Sequence, residues 1–503
     1  MSTAPLYLDY AATTPVDPRV ALAMSECLTL AGVFGNPSST HPYGLAAAAR
    51  IATARAQVAA LVGAQSEEIV FTSGATESNN LAILGAARAA AGRGRHIVSA
   101  RTEHKAVLDP CRHLEKEGFG VSWLTPGKSA RIEPQALAAA LRSDTVLVSI
   151  MSANNETGIL EDIAALGELC RGRGIAFHSD CAQAAGKVPL PLHELPVDFA
   201  SFTAHKLYGP KGIGALYVRQ GARPLLQPLT WGGGQERGLR PGTLATHQIV
   251  GFGAACELAA RELPAEAARL TQLRERLWAG LAALGSTHLN GAGAPRVPGI
   301  LNVSFEGVHG ESLVAGLTGL ALSTGAACSS DSPDPSYVLR ALGRNVQLAQ
   351  SSLRFSLGRF TRETDIDFAL TAIGHELKRL RAVSPAACVP PAAPQEASGA
   401  LVSGEAGGPG EDTWVRFHLW VADGIVKDAR FQAFACPHTM DTAAWLCGEL
   451  RGRRRAELIP GTPAAWAARR GVPVAKLGRL LLVEDALREC LCNWTEDVKI
   501  GMR

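Results

Sequence analysis

Long apolar runs are missing from this 503-residue sequence, and so is any large excess of charge. No stretch stays apolar for the roughly 20 residues a membrane helix needs, so a membrane protein is not expected. Lysine and arginine outnumber aspartate and glutamate by 49 to 46. A net charge of +3 is too small to draw in nucleic acid or an anionic surface by bulk electrostatics. The opening run "MSTAPLYLDYAATT" has no basic segment followed by an apolar one, so a secretory signal is not expected and a cytoplasmic location is. In that compartment the 11 cysteines are expected as thiols, ligands or nucleophiles rather than disulfides. What remains is the composition of a globular protein, long enough for two or three domains.

One composition shift divides the chain. The stretch around "SPAACVPPAAPQEASGALVSGEAGGPGED" is rich in Pro, Ala, Gly and Ser and poor in large apolar side chains. Such a segment cannot offset its ordering entropy by burial, so residues 386–412 are expected to be a flexible linker. It separates a first domain, residues 1–385, from a smaller one, residues 413–503.

Within the first domain, short β-rich runs ("EIVFTS", "RHIVSA", "TVLVSIM", "IAFHSD", "FASFTA") alternate with Ala- and Leu-rich helical stretches. That pattern predicts an α/β fold with a largely parallel sheet, and ligands of such sheets sit at the carboxyl ends of the strands. After the first run come Gly74, Ala75 and Thr76, small residues opening a helix whose free N–H groups suit a phosphate. The later runs are followed by His104, by Asn154 and Asn155, by Asp180 and Gln183, and by His205 and Lys206. Each alone has an ordinary structural role open to it, as a cap, a turn residue or a buried histidine. Together they suit pyridoxal phosphate, which requires a Schiff-base lysine and an acidic partner for its pyridine nitrogen. His205, beside Lys206, can reach the phosphate cradled at Thr76, and Asp180 would hold the pyridine proton. The His104 ring would stack on the cofactor. Of the two lysines in "HKLYGPKGIG", Lys206 directly follows its strand and is the expected Schiff-base residue; Lys211 is expected to face solvent or be structural.

The ordered motifs "YLDYAATTPVDPRV", "FGNPSS", "FTSGATESNN", "TEHKAVL", "NNETG", "HKLYGPKGIGALYV", "GGGQERGLRPGT", "STGAACSS" and "SSLRFSLGRFT" closely resemble the pyridoxal-phosphate cysteine desulfurases, relatives of the class V aminotransferases of the kind serving housekeeping iron–sulfur cluster assembly. The resemblance covers nearly all of residues 5–385. It implies a homodimer of the type I pyridoxal-phosphate transferase fold, with a large subdomain over about residues 16–260 and a small α/β one from residues 1–15 and 261–385. It further implies that Thr203 joins Thr76 and His205 at the phosphate, that Thr243 reaches the phosphate of a partner subunit and that Asn155 and Gln183 face the cofactor's hydroxyl side. Arg354 would clamp the carboxylate of L-cysteine, assisted by Asn36 and Asn155. Catalysis would fall to Lys206, His104 and Cys328. Cys328, in the polar stretch "CSSDSPDPS", would take up the substrate's sulfur as a persulfide and hand it to an acceptor or scaffold protein. Cys328 is also a candidate ligand of a transient iron–sulfur cluster. In the pattern's usual Ser-Gly position this sequence has Thr203–Ala204. Cys181, beside Asp180, is expected to be a buried filler, and Cys27, Cys111, Cys170 and Cys256 structural. A selenocysteine lyase or another class V lyase would share much of this site, and a sulfur-relay platform dominated by the C-terminal module is a third reading.

In the tail, alternation from Val415 to Val421, the turn pair Asp423–Gly424 and a second alternating run predict a β-hairpin. Pro437 then starts a helix, and "VEDALRECLCNW" is a second. This small α+β domain is similar, in part, to the NifU-like iron–sulfur scaffold domain. Cys436 stands at one of that family's ligand positions, but Gly478 and Arg479 replace an adjacent His–Cys pair. Cys490 and Cys492 point to different helix faces, so Cys436 is an uncertain metal ligand. As a thiolate at a helix N-terminus on a tethered domain, it is expected to accept sulfur from Cys328.

Overall fold

A computed structural model describes residues 4–324, 335–384, 399–408 and 412–495. Its centre is a seven-stranded sheet of Ile69–Thr72 (β1), His96–Ala100 (β2), Gly120–Leu124 (β3), Thr145–Ser149 (β4), Ala176–Asp180 (β5), Phe199–Thr203 (β6) and Gly214–Val218 (β7). The order is β1-β7-β6-β5-β4-β2-β3. Only β7 pairs antiparallel to its neighbours, so β1, β2, β4, β5 and β6 all deliver their carboxyl ends to one edge. Their residues are buried throughout, as expected of a sheet with helices on both faces. Pro42–Leu61 (α1) covers one face; Ala75–Ala89 (α2) and Lys105–Lys116 (α3) cover the other. This is the type I transferase architecture.

The expected subdomain boundary near residue 260 falls inside one continuous helix, Thr246–Ala283 (α4). Its first half packs in the large core through Ile249, Phe252 and Cys256. Its second half packs in another core through Leu270, Leu273 and Leu277. That second core lies against a four-stranded sheet of Thr287–Leu289 (β8), Ile300–Phe305 (β9), Ser323–Thr324 (β10) and Ser352–Ser356 (β11), ordered β10-β11-β9-β8. Gly310–Gly316 (α5), Tyr337–Ala341 (α6) and Glu363–Ala382 (α7) complete it. The chain start joins it too, Leu6–Tyr7 pairing with Leu320–Ala321.

The tail corrects one expectation. Ala400–Gly408 (β12), assigned to the linker by composition, is an edge strand paired antiparallel along its length with Thr413–Ala422 (β13), which pairs in turn with Ile425–Phe434 (β14). The small residues are what allow it. Leu477–Asn493 (α9) crosses so close that a Cβ on Gly404 would lie 2.3 Å from the Cys490 nitrogen and 2.5 Å from the Ala486 oxygen. A segment whose own side chains bury little is thus ordered by the helix laid across it. Asp423 and Gly424 both take positive φ, 54° and 70°, the geometry of a tight two-residue hairpin turn. Pro437–Leu450 (α8) begins at Cys436.

The tail is docked on the small subdomain. Ala433 N donates to Val383 O at 2.6 Å and Ser312 Oγ to Ala435 O at 2.6 Å. His309 pairs with Asp412 at 2.9 Å, Lys476 with Glu311 at 3.0 Å and Arg479 with Asp412 at 2.5 Å. Met440 packs against both cores. No helix among the described residues is long and apolar enough to cross a membrane.

Candidate active site

At the carboxyl edge of the large sheet lies a cavity of about 550 Å³. Among the residues proposed from the sequence, Ala75, Thr76, His104, Asn155, Asp180, Gln183, Thr203, His205, Lys206 and Arg354 all line it. They arrive from five strand ends and, for Arg354, from β11 of the small subdomain, so the site spans the two subdomains.

The backbone explains why β1 ends in Gly74. Its φ of 155° is one that side-chain-bearing residues rarely adopt, and a Cβ on Gly214 of β7 would come within 2.6 Å of the Gly74 Cα. Two glycines therefore let this turn press on the neighbouring strand, and the N-terminus of α2 opens toward the cavity with unpaired N–H groups.

Asp180 is held from two sides: Asn79 Nδ2 donates to one carboxylate oxygen at 2.7 Å and Ala182 N to the other at 2.9 Å. Such donors fix the carboxylate's direction. His104 caps α3, its Nδ1 accepting from Ala106 N at 3.1 Å, which leaves the ring proton on Nε2. His205 contacts Thr13 Oγ1 through Nδ1 at 3.1 Å. Burial, and then the nearby Lys206, Lys211 and Lys187, bring its pKa down to about 4, so it is a neutral ring at physiological pH. Thr203 Oγ donates to Ile213 O at 3.1 Å. Its hydroxyl hydrogen therefore points away from a phosphate unless it rotates.

Lys206 Nζ donates to Ala11 O and, at 2.9 Å, to Ala12 O. Gln183 Nε2 donates to the same Ala11 carbonyl at 2.9 Å, and Lys187 Nζ holds the other end of that amide at 2.5 Å. Arg354 is 2% exposed. It pairs with Asp9 at 2.7 Å and donates to Asn155 O at 3.0 Å. A guanidinium has five N–H groups, so these contacts orient it and leave an edge for a carboxylate.

Two residues are not brought into this cavity. Asn36 is exposed, its Oδ1 accepting from Ser38 N at 3.0 Å. Thr243 is exposed too, compatible with its expected role toward a partner subunit. Cys328 lies outside the described residues. Lys211 is exposed at the cavity mouth. Cys181, Cys111, Cys170 and Cys256 are wholly buried and Cys27 is 4% exposed; burial raises the Cys181 and Cys170 thiols to about 12, which suits inert fillers. Site residues that the sequence did not single out are Ala11, Ala12, Thr13, Asn79 and Lys187. Their roles arise from contacts across as many as 195 positions, which no local pattern signals.

The donor set fits pyridoxal phosphate. Among the described residues, Asn155 Oδ1 and Arg354 Nε are buried polar atoms without partners, the helix N-terminus suits a phosphate, and the Asp180 carboxylate has the chemistry a pyridine nitrogen requires.

In the tail the expectation for Cys436 is corrected. Its side chain is 0% exposed. Its sulfur lies 3.3 Å from Thr439 Oγ1 and within hydrogen-bonding reach of Arg479, on the docking seam. A thiol sealed there cannot meet a persulfide while the tail is docked. Nor does it have company as a ligand: no group of three or more His, Cys, Asp or Glu side chains is placed to hold a metal among the described residues. Cys490 is buried and Cys492 exposed, on different helix faces as expected.

Comparison with known proteins agrees with this geometry. The aminotransferase class-V family matches residues 6–368. Cysteine desulfurase IscS of Pectobacterium atrosepticum is 56% identical over 382 residues, 76% of this chain and 95% of that protein. Its counterpart from Shewanella baltica is 55% identical over the same coverage. Among solved structures, a NifS-like protein superposes with a TM-score of 0.69 at 36% identity, covering 75% of this chain and all of the other. SspA in complex with cysteine gives 0.64 at 37% identity, covering 71% of this chain and all of the other. The chain therefore belongs to the class V aminotransferase family, and within it to the cysteine desulfurases.

Proposed function

We propose that the protein converts L-cysteine to L-alanine with pyridoxal phosphate and delivers the sulfur, as a persulfide on Cys328, to acceptors for iron–sulfur clusters or other sulfur-containing cofactors. The observation that carries this reading is the convergence of Lys206, Asp180, His104 and Arg354 on one cavity at a single sheet edge. When bound, the cofactor supplies an electron sink for the substrate's Cα carbanion. Asp180 keeps a proton at the pyridine nitrogen. Arg354 takes the substrate carboxylate, a match for its planar fork. Lys206 would hold the cofactor, and its amine would move the substrate's Cα proton. His104, with its proton on Nε2, would be the donor beside the substrate thiol. The Cys328 thiolate attacks the substrate Sγ; an S–S bond forms as Cβ–Sγ breaks, the electron pair stays with carbon, and protonation there yields alanine. Sulfur is oxidised and carbon reduced by the same two electrons, so no outside oxidant is required.

A homodimer is supported by the apolar side chains left on the surface of the large subdomain, including Leu30, Phe34, Tyr43 and Trp231, the last 82% exposed. A second copy covering them would bring Thr243 to the neighbouring phosphate site. We read the tail as a partial NifU-like module that docks rather than holds a cluster, and the site as cytoplasmic. Intact-protein mass spectrometry after cysteine addition tests the proposal: one extra sulfur mapping to Cys328, absent in Cys328→Ser while that variant still binds pyridoxal phosphate, is expected. Near-normal sulfide release by Cys328→Ser would overturn it.

A further inference from the structure

Two buried carboxylic acids behind the cavity have no part in the chemistry above. Glu156, in "NNETG", is 4% exposed, and Glu103, just before His104, is 0% exposed. Both residues meet the same short segment, Glu156 through its carboxylate and Glu103 through its backbone carbonyl. Ser336 Oγ donates to Glu156 Oε2 at 2.5 Å, and Tyr337 Oη donates to Glu103 O at 2.8 Å. Ser336 also caps α6, accepting from Leu339 N at 3.1 Å. The start of α6 is thus tied to the loop carrying Asn155 and to the loop carrying His104.

Glu156 itself is enclosed by partners from several elements. Asn154 Oδ1 accepts from its backbone N–H at 2.9 Å and Asn302 of β9 donates to its carbonyl at 3.1 Å. The charged or titratable groups facing its carboxyl are His104 at the start of α3 and Arg354 of β11, with Asp9 on the other side of Arg354. Among the described residues, β9 and α6 present the Asn302 amide and the Ser336 hydroxyl to Glu156.

The geometry points to Glu156 as a positioning residue of the desulfurase reaction: as a carboxylate it holds the start of α6, through Ser336, against the His104 and Arg354 side of the cavity. A hydroxyl bonded to an ionised acceptor is held more strongly than one bonded to a neutral acid. Protonation of Glu156 therefore loosens the tie without displacing cofactor ligands. Burial raises this acid's pKa to about 7, against lowering by Ser336, Arg354 and His104, which places the change inside the working pH range. The tie is made above that value and weakened below it.

The test is hydrogen exchange at the Leu339 amide in the pyridoxal-phosphate-loaded protein between pH 5.5 and 8.5, corrected for intrinsic rates. This readout is independent of turnover. In the wild type, protection is expected to rise about tenfold through a single step near pH 7. Glu156→Gln keeps an acceptor for Ser336 but has no charge to lose, so its protection should be flat across the range. Ser336→Ala removes the tie and should be unprotected at every pH. The same step should appear in kcat for the wild type and be missing from Glu156→Gln, with the cofactor's absorbance unchanged. A step that persists in Glu156→Gln, or flat wild-type protection, overturns the proposal.

Discussion

The same local device occurs twice in this chain, with opposite outcomes. In the large sheet, β1 runs into α2 through Gly74, and in the tail β14 runs into α8 through Cys436. Both put a chemistry-bearing position at a strand end and a helix N-terminus. The first opens on a cavity because five strands end along the same edge. The second is sealed, because Ser312, Glu311 and His309 of the small subdomain meet the tail at that seam. A strand-to-helix junction therefore marks where a site could be built. Whether one exists depends on what the rest of the fold brings to it.

The largest expected effect separates the two lysines that line the cavity on which the open junction faces. Lys206→Ala should abolish the visible absorbance of the cofactor-loaded protein and lower turnover by about a thousandfold or more, as loss of an acid–base group does. Lys211→Ala, at the cavity mouth, should keep both. An unchanged spectrum for Lys206→Ala would remove the basis for calling this cavity a catalytic one.

A charge reversal at the sealed junction should convert it toward the open kind. Glu311→Lys replaces the partner of Lys476 and Arg479 with a like charge, and the pairs are partly buried. Thiol alkylation at Cys436 is expected to accelerate by about tenfold or more, since access then follows local opening. If Cys436 reacts no faster, the seam is held by Met440, Ala433 and Ala435 rather than by charge.

Gly404→Val tests the tail alone. Its side chain would strike the α9 backbone, an overpacking change that costs about 1–3 kcal/mol. Calorimetry should show the tail unfolding earlier while cofactor absorbance holds. A single unshifted transition would mean that α9 can move away from β12 at little cost.

The smallest effect concerns Glu161, beyond the Asn155 loop, whose carboxyl accepts from Ile132 N at 2.8 Å. Burial raises its pKa from 4.5 to about 7. Folded protein therefore keeps a proton that unfolded chain releases between those values, and the stability this gives below pH 4.5 is lost as pH rises through about 7. Glu161→Gln keeps the hydrogen bond and removes the loss. Its stability relative to wild type, read from melting temperatures, should rise between pH 5 and pH 8 by about 2–3 kcal/mol at most. No change in that difference would place the proton elsewhere.

The site was legible where chemistry followed local pattern. His104, Asp180, Lys206 and the Gly74–Thr76 turn each sit at a strand end that alternation in the sequence predicts, and the cavity collects them. Arg354 was reached through resemblance, and its pairing with Asp9 had no sequence signal at all. The strand at 400–408 is not legible in the sequence because Gly, Ala and Ser carry no strand signature of their own. Their order comes from α9, some 80 residues later. Cys436 reads as a sulfur acceptor because a helix N-terminus favours a thiolate, and the seam that covers it is made by residues more than a hundred positions earlier.

The sequence by itself determined the class of fold, the polar residues at the strand ends and the cofactor they suit, since strand period, helix starts and residue chemistry are local properties. Tertiary structure alone decided which of those residues meet. The carbonyls of Ala11 and Ala12 hold the Lys206 amine, Asn79 aims Asp180, and Asp9 orients Arg354. It also decided that the tail packs on the small subdomain and closes over its own cysteine. These are outcomes of long-range packing, in which a group's partner is set by where the sheets and helices come to rest and not by its neighbours in the chain.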